Sequence, residues 1–171
     1  MQNSIPSKEI LIEMLDLQPH PEGGFFKETY RSNETIHNAH LTGDYKGDRH
    51  YSTAIYFMLT SDMFSAFHRI EQDELWHFHQ GSAIELHTIS ESGEHTKHII
   101  GNDIAKGEKP QLVVPGKYWF AAKVIQQNAH SLVSCTVAPG FDFRDFVLPS
   151  RLELVNLFPQ HELVIQEFTR F

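Results

Sequence analysis

From Tyr51 to Ala138 the chain repeats one pattern. Short runs rich in β-branched and aromatic residues are each closed by Gly or Pro. The runs are Tyr51–Leu59, Met63–Ile70, Glu74–His79, Ala83–Ile89, Thr96–Ile100, Gln111–Val114, Lys117–Val124 and Ser131–Ala138, punctuated by Gly81, Gly93, Gly101, Gly107, Pro115-Gly116 and Pro139-Gly140. About eight short strands at such spacing predict a sandwich, jelly roll or small barrel. The flanks read differently. Ser7 caps a predicted helix to about Leu17, with Ile10, Leu11, Met14 and Leu15 in one apolar stripe. Pro19 and Pro21 stop it, Gly23-Gly24 turns the chain, and Phe25 to Arg31 alternates as a strand. Residues 32–50 are polar and Gly-containing, a loop long enough to be mobile or functional. Ser150 with Glu153 has the spacing of a capping box, and Pro159 opens a last segment to about Thr169. The reading is a single domain: an N-terminal helix and turn over 1–24, a β region over 25–148 and a helical tail over 149–171.

With 171 residues the chain can bury a core without disulfide or metal staples. Twenty-two acidic against 14 basic residues give a formal charge of −8, which argues against nucleic acid as a partner, since phosphate binding needs clustered Lys and Arg. The single cysteine, Cys135, excludes an internal disulfide and sits in a strand-like run, where an inert buried thiol is expected. Met1 to Ser7 shows no secretory leader and no apolar run reaches 18 residues, so the expected compartment is the cytoplasm, with no membrane contact. No Walker A loop, dinucleotide fingerprint, Gly-x-Ser-x-Gly elbow or Cys-x-x-Cys pair occurs.

The window from Phe67 to Gly81 is richest in chemistry. Strand alternation puts Glu74, Trp76 and Phe78 on one face and Leu75, His77 and His79 on the other. If the first face points inward, the Glu74 carboxyl lies in an apolar pocket with its pKa raised, and with His68 it offers the titratable pair that acid–base catalysis uses. On the opposite view the two form a structural hydrogen bond. His77 and His79 have the spacing to chelate a metal from one strand, or they simply face solvent or a subunit interface. The second polar stretch carries Glu28, Tyr30 and Arg31. It is either a solvated edge strand or a wall that offers hydrogen bonds at a pocket mouth. Arg31 has the opposite parity to Glu28 and Tyr30, so all three cannot face inward unless the strand bends.

Four motifs in order resemble one family. Pro19-His20-Pro21-Glu22-Gly23-Gly24-Phe25-Phe26 with Glu28-Thr29-Tyr30-Arg31, Asp73-Glu74-Leu75-Trp76-His77-Phe78-His79-x-Gly81, Val113-Val114-Pro115 and Ala138-Pro139-Gly140-Phe141-Asp142-Phe143 look like the small cupin family DUF985, over roughly residues 8–165. The resemblance implies all-β architecture with short terminal helices, a cupin jelly-roll β-barrel, and a homodimer. Its functional analogues are epimerases of 4-keto sugars, an analogy of fold only. Against the wider cupin metal pattern, His68 and Glu74 match ligand positions, while Ile70 and Phe120 replace the other two. The resemblance therefore implies neither metal nor other cofactor.

Three functional readings follow. The first is a metal-independent epimerase or isomerase acting on a small, carbohydrate-like or nucleotide-linked molecule. In it His68 is general base or acid, with Glu74, Asp142 or Asp145 as its carboxylate partner. Trp76, Phe78 and Phe120 form a stacking wall, and Glu28, Tyr30 and Arg31 make polar contacts at the mouth. The second is a non-enzymatic binding module that uses the same aromatic wall. The third, weaker, is a metal-dependent cupin using His68 and Glu74 with His77 or His79.

Overall fold

The computed structural model describes residues 6–170. The expectation about a leader in Met1–Ser7 therefore falls, up to Ile5, outside the described residues. Helix α1 (Lys8–Met14) starts where the Ile10 N–H donates to the Ser7 Oγ at 3.4 Å. It ends a turn earlier than its apolar stripe suggests, because Asp16 takes a positive φ and breaks the helical path.

Six strands form the largest sheet, in the order β1 (Gln18–Pro19), β2 (Phe25–Arg31), β5 (Thr53–Thr60), β12 (His130–Ala138), β7 (Asp73–Gly81) and β10 (Gln111–Val114). A second sheet holds β6 (Phe64–His68), β11 (Trp119–Val124), β8 (Ile84–Ile89) and β9 (His95–Ile100). The predicted loop 32–50 is not featureless. It pins itself with a two-stranded sheet, β3 (Thr35–Ile36) on β4 (Arg49–His50). The tail makes α2 (Arg151–Leu157) and α3 (Glu162–Glu167). The capping box forms at α2: Glu153 N–H donates to Ser150 Oγ, and Ser150 N–H to Glu153 Oε2 at 2.8 Å.

The two larger sheets face each other. Phe57, Trp76 and Val133 from the six-stranded sheet pack on Ile84, Leu86 and Phe120 from the four-stranded one. Burying a side chain of this size contributes about 1.5–3 kcal/mol. Helices cover the outer faces. Leu11 of α1 packs with Met58 and Leu132, while Leu154, Ile165 and Phe168 of the tail pack on Phe67, Ile89 and Trp119. Alternating strands thus bury apolar side chains on both faces.

This arrangement corrects the sequence expectation of an all-β chain closed into a jelly-roll β-barrel. The fold is mixed α/β, with sheets of six, four and two strands, none closed on itself. No ladder joins the two larger sheets, and edges β10 and β6 stay open. Strand periodicity reports which residues alternate, but not whether the last strand pairs with the first. The helices are layers over the sheets and not appendages at the ends.

Candidate functional site

A cavity of about 430 Å³ opens at one end of the space between the sheets. The register of the six-stranded sheet explains its wall. Directly opposed residues in an antiparallel ladder share a face. Phe26 opposes Phe57, Glu28 opposes Ile55 and Arg31 opposes Thr53, and all six line the cavity. On the other side of β5 and β12, Cys135 opposes both Ile55 and Trp76, and Val137 opposes Thr53 and Glu74. The wall grades from aromatic at the core end to polar at the mouth.

Glu28 and Arg31 both face inward because β2 bulges. Between Glu28 and Tyr30 the register with β5 slips by one residue, leaving Thr29 as the extra one. The same slip turns Tyr30 outward, where it is 54% exposed. Arg31 clasps Glu28 through Nη2 and Nε at 2.6 and 2.9 Å and donates to the Phe141 carbonyl. The proposed stacking wall is also only part of the cavity. Trp76 lines it. Phe78 packs on the core beyond it. Phe120 stands behind His68, ring centroids 4.0 Å apart, and does not reach the cavity.

His68 is almost fully buried and both ring nitrogens are engaged. Nδ1 donates to the Ala66 carbonyl at 2.7 Å, and Nε2 faces Glu22 Oε2 at 3.0 Å. A carbonyl oxygen can only accept, so with Glu22 ionised both nitrogens must carry protons. Ser65 Oγ donates to the other Glu22 oxygen at 2.7 Å. Burial opposes charge on both partners, but their mutual attraction prevails: His68 is raised and Glu22 lowered from the ordinary values. The carboxylate that pairs with His68 is thus Glu22, not Glu74, Asp142 or Asp145. Asp145 forms a buried bidentate pair with Arg49 and accepts from Gln72 at 2.8 Å. Asp142 holds Arg144 at the mouth.

Glu74 lies deep in the protein, with its carboxyl in contact with the cavity, and no described side chain makes an ion pair with it. Burial pushes its pKa up and the nearby Glu22 charge adds to this. His68 pulls the other way, and the result is about 7. His20, also in the wall, accepts the Glu22 N–H at Nδ1 over 3.4 Å. Burial holds its pKa down, so the ring stays neutral with its proton on Nε2. Phe26, Phe143 and Phe146 surround it. Sequence reasoning assigned no role to His20 or Glu22. Two titratable residues in a turn already fixed by Pro and Gly were the signal available.

The site does not fit a cupin metal. Ile70 and Phe120 offer no donor, and the His68 nitrogens are bound elsewhere. Among the described residues no group of three or more His, Cys, Asp or Glu could hold a metal ion. His77 and His79 face away from the cavity, bonded to Gln111 and Thr136 and to Ser134.

The family pattern of Cupin_5, the cupin superfamily group DUF985, matches residues 9–149. The chain belongs to that family. The uncharacterized protein YML079W of Saccharomyces cerevisiae is 32% identical over 148 residues, covering 81% of this chain and 73% of the yeast one. Two solved structures are similar along nearly the whole chain. A hypothetical protein from Leishmania major superposes with a TM-score of 0.89 at 35% identity, over 97% of this chain and 100% of that one. Protein SO0799 from Shewanella oneidensis gives 0.87 at 37% identity, over 97% and 99%. The open sheets are this cupin's version of the fold, and its cavity has the size of small-molecule sites, roughly 300–1,000 Å³. No helix among the described residues is long and apolar enough to cross a membrane.

Proposed function

We propose that this cupin is a metal-independent isomerase or epimerase of a small, carbohydrate-like carbonyl compound, with Glu74 as the proton-transfer group. One observation carries the reading: a cavity-facing carboxyl without an ion-pair partner titrates near 7, where a general base works best. Its carboxylate takes a proton from the carbon beside the carbonyl. The carbonyl oxygen takes the charge as an enolate and accepts a hydrogen bond from His20 Nε2. The Glu74 acid then returns the proton to the same carbon, inverting it, or to the neighbouring one. No electrons enter or leave. His68 acts through Glu22, holding a negative charge that keeps Glu74 basic, so it is a positioning residue. The nucleotide-linked form of the substrate lacks support in the lining. Arg31 is the one Arg or Lys there, and Glu28 already occupies it.

Keto sugars incubated in deuterated water test this by NMR. Exchange at the carbon beside the carbonyl is expected in the native protein and absent in Glu74→Gln. Undiminished exchange in the variant refutes it. A second reading, a binding module without turnover, is favoured by the full engagement of both His68 nitrogens, and absence of exchange across the panel selects it. A homodimer belongs to the same proposal, supported by the open edge β10, where Val113 is 48% exposed. Light scattering at twice the 19.7 kDa chain mass is the expected result.

A further inference from the structure

Aromatic side chains from four separate segments wall the cavity: Phe26, Phe57, Trp76, Phe141, Phe143 and Phe146. Four carboxylates face the same space, and three of them are already matched. Glu22 has His68 at 3.0 Å, Glu28 has Arg31, and Asp142 has Arg144 at 2.7 Å. Glu74 has none among the described residues. Conversely, the cations that face the cavity, Arg31 and His68, are each engaged by a carboxylate. The unmatched charge is therefore negative. An anionic ligand would lose its water and meet Glu74 with no free cation in return. A positive ligand would complement Glu74 and be attracted to the negative faces of the surrounding rings.

We infer that the cavity binds a small organic cation of the alkylammonium type, its nitrogen against the Glu74 carboxylate and its alkyl groups against the aromatic wall. The inference names the substrate class of the site proposed above. It rests on that cavity being the ligand site and does not require turnover.

Choline and 3,3-dimethylbutan-1-ol provide the test, because they differ chiefly in a charged nitrogen replacing a neutral carbon. Titration calorimetry on the full chain measures both from about pH 5.5 to 8.5. The groups facing Glu74 that also titrate or carry charge are Glu22 and His20 before β2, His68 on β6 and Cys135 on β12. Toward the mouth stand the Glu28–Arg31 pair, His50 and Asp142. Of these, Cys135 is held neutral, its thiol pushed well above its ordinary value by burial. Choline is expected to bind at least about tenfold tighter than the alcohol at about pH 8. Its affinity is expected to fall by up to about tenfold per pH unit once Glu74 takes a proton, while that of the alcohol stays level. In Glu74→Gln the choline advantage and its pH dependence both disappear; Asp142→Asn keeps them.

Equal binding of choline and the alcohol overturns the inference. So does a choline affinity unchanged in Glu74→Gln, or failure of both choline and tetramethylammonium to saturate the folded protein. Choline binding without hydrogen exchange on any carbonyl compound overturns turnover alone. Exchange on a neutral sugar with no preference for the cation overturns the ligand class alone.

Discussion

Replacing Glu74 by Gln should make the protein more stable at neutral and alkaline pH. The native carboxyl titrates near 7, against 4.5 in an ordinary setting. At about 1.36 kcal/mol per pKa unit, that shift corresponds to about 3 kcal/mol of folding free energy. Because the folded value is the higher one, the folded state binds the proton more tightly. The cost is absent below the unfolded value, grows as pH rises, and is complete above the folded value. Glutamine has nearly the shape of the protonated acid and never ionises. The variant should match the native protein at about pH 4.5 and exceed it by about 3 kcal/mol at about pH 8. Urea unfolding of both proteins at several pH values measures the difference, and titrations elsewhere in the chain cancel from it. A difference that stays flat across this range would mean that Glu74 does not ionise in a desolvated setting. The acid–base reading would fall with it.

Three further outcomes follow from other contacts. Glu22→Gln should drop the His68 pKa below its ordinary 6.5, because burial then acts on the ring alone; imidazole NMR titration reads it. In the native protein the pair supports the fold between the two unfolded values. Its help fades as pH falls through the lowered Glu22 value or rises through the raised His68 value. Arg49→Leu strands the buried Asp145 carboxylate without its partner and should cost about 3–5 kcal/mol in urea unfolding. Ser150→Ala removes the capping box of α2 and should cost about 1 kcal/mol by the same measurement.

Local chemistry was legible where a segment decides its own conformation. Phe25–Arg31 and Gln111–Val114 are strands over the residues that their alternation marks, and Ser150 with Glu153 forms its box. Alternation also brought Glu74 and Trp76 to one wall. It misled at Phe78, which shares their face but lies further along the strand, past the end of the cavity. The Glu22–His68 pair joins residues far apart in sequence, and no periodicity announces such a meeting. Nor does the two-residue ladder of β3 and β4 rise above the polar noise of residues 32–50. Closure of the sheets depends on edge pairing, a property of the whole chain.

The bulge in β2 makes the cavity wall sensitive to phase as well as to residue identity. Before Thr29, even-numbered side chains enter the site; after it, the odd-numbered Arg31 does. Removing one residue there would restore strict alternation and bring Tyr30 to the position opposite Thr53, shortening the strand by one place. Such a deletion would exchange the guanidinium of the mouth for a phenol without substituting a single amino acid. It would also leave Glu28 unmatched, giving the site a second free carboxylate. Ligand preference in this family can therefore drift by insertion and deletion in one strand, a route that comparison of aligned residue identities would not reveal.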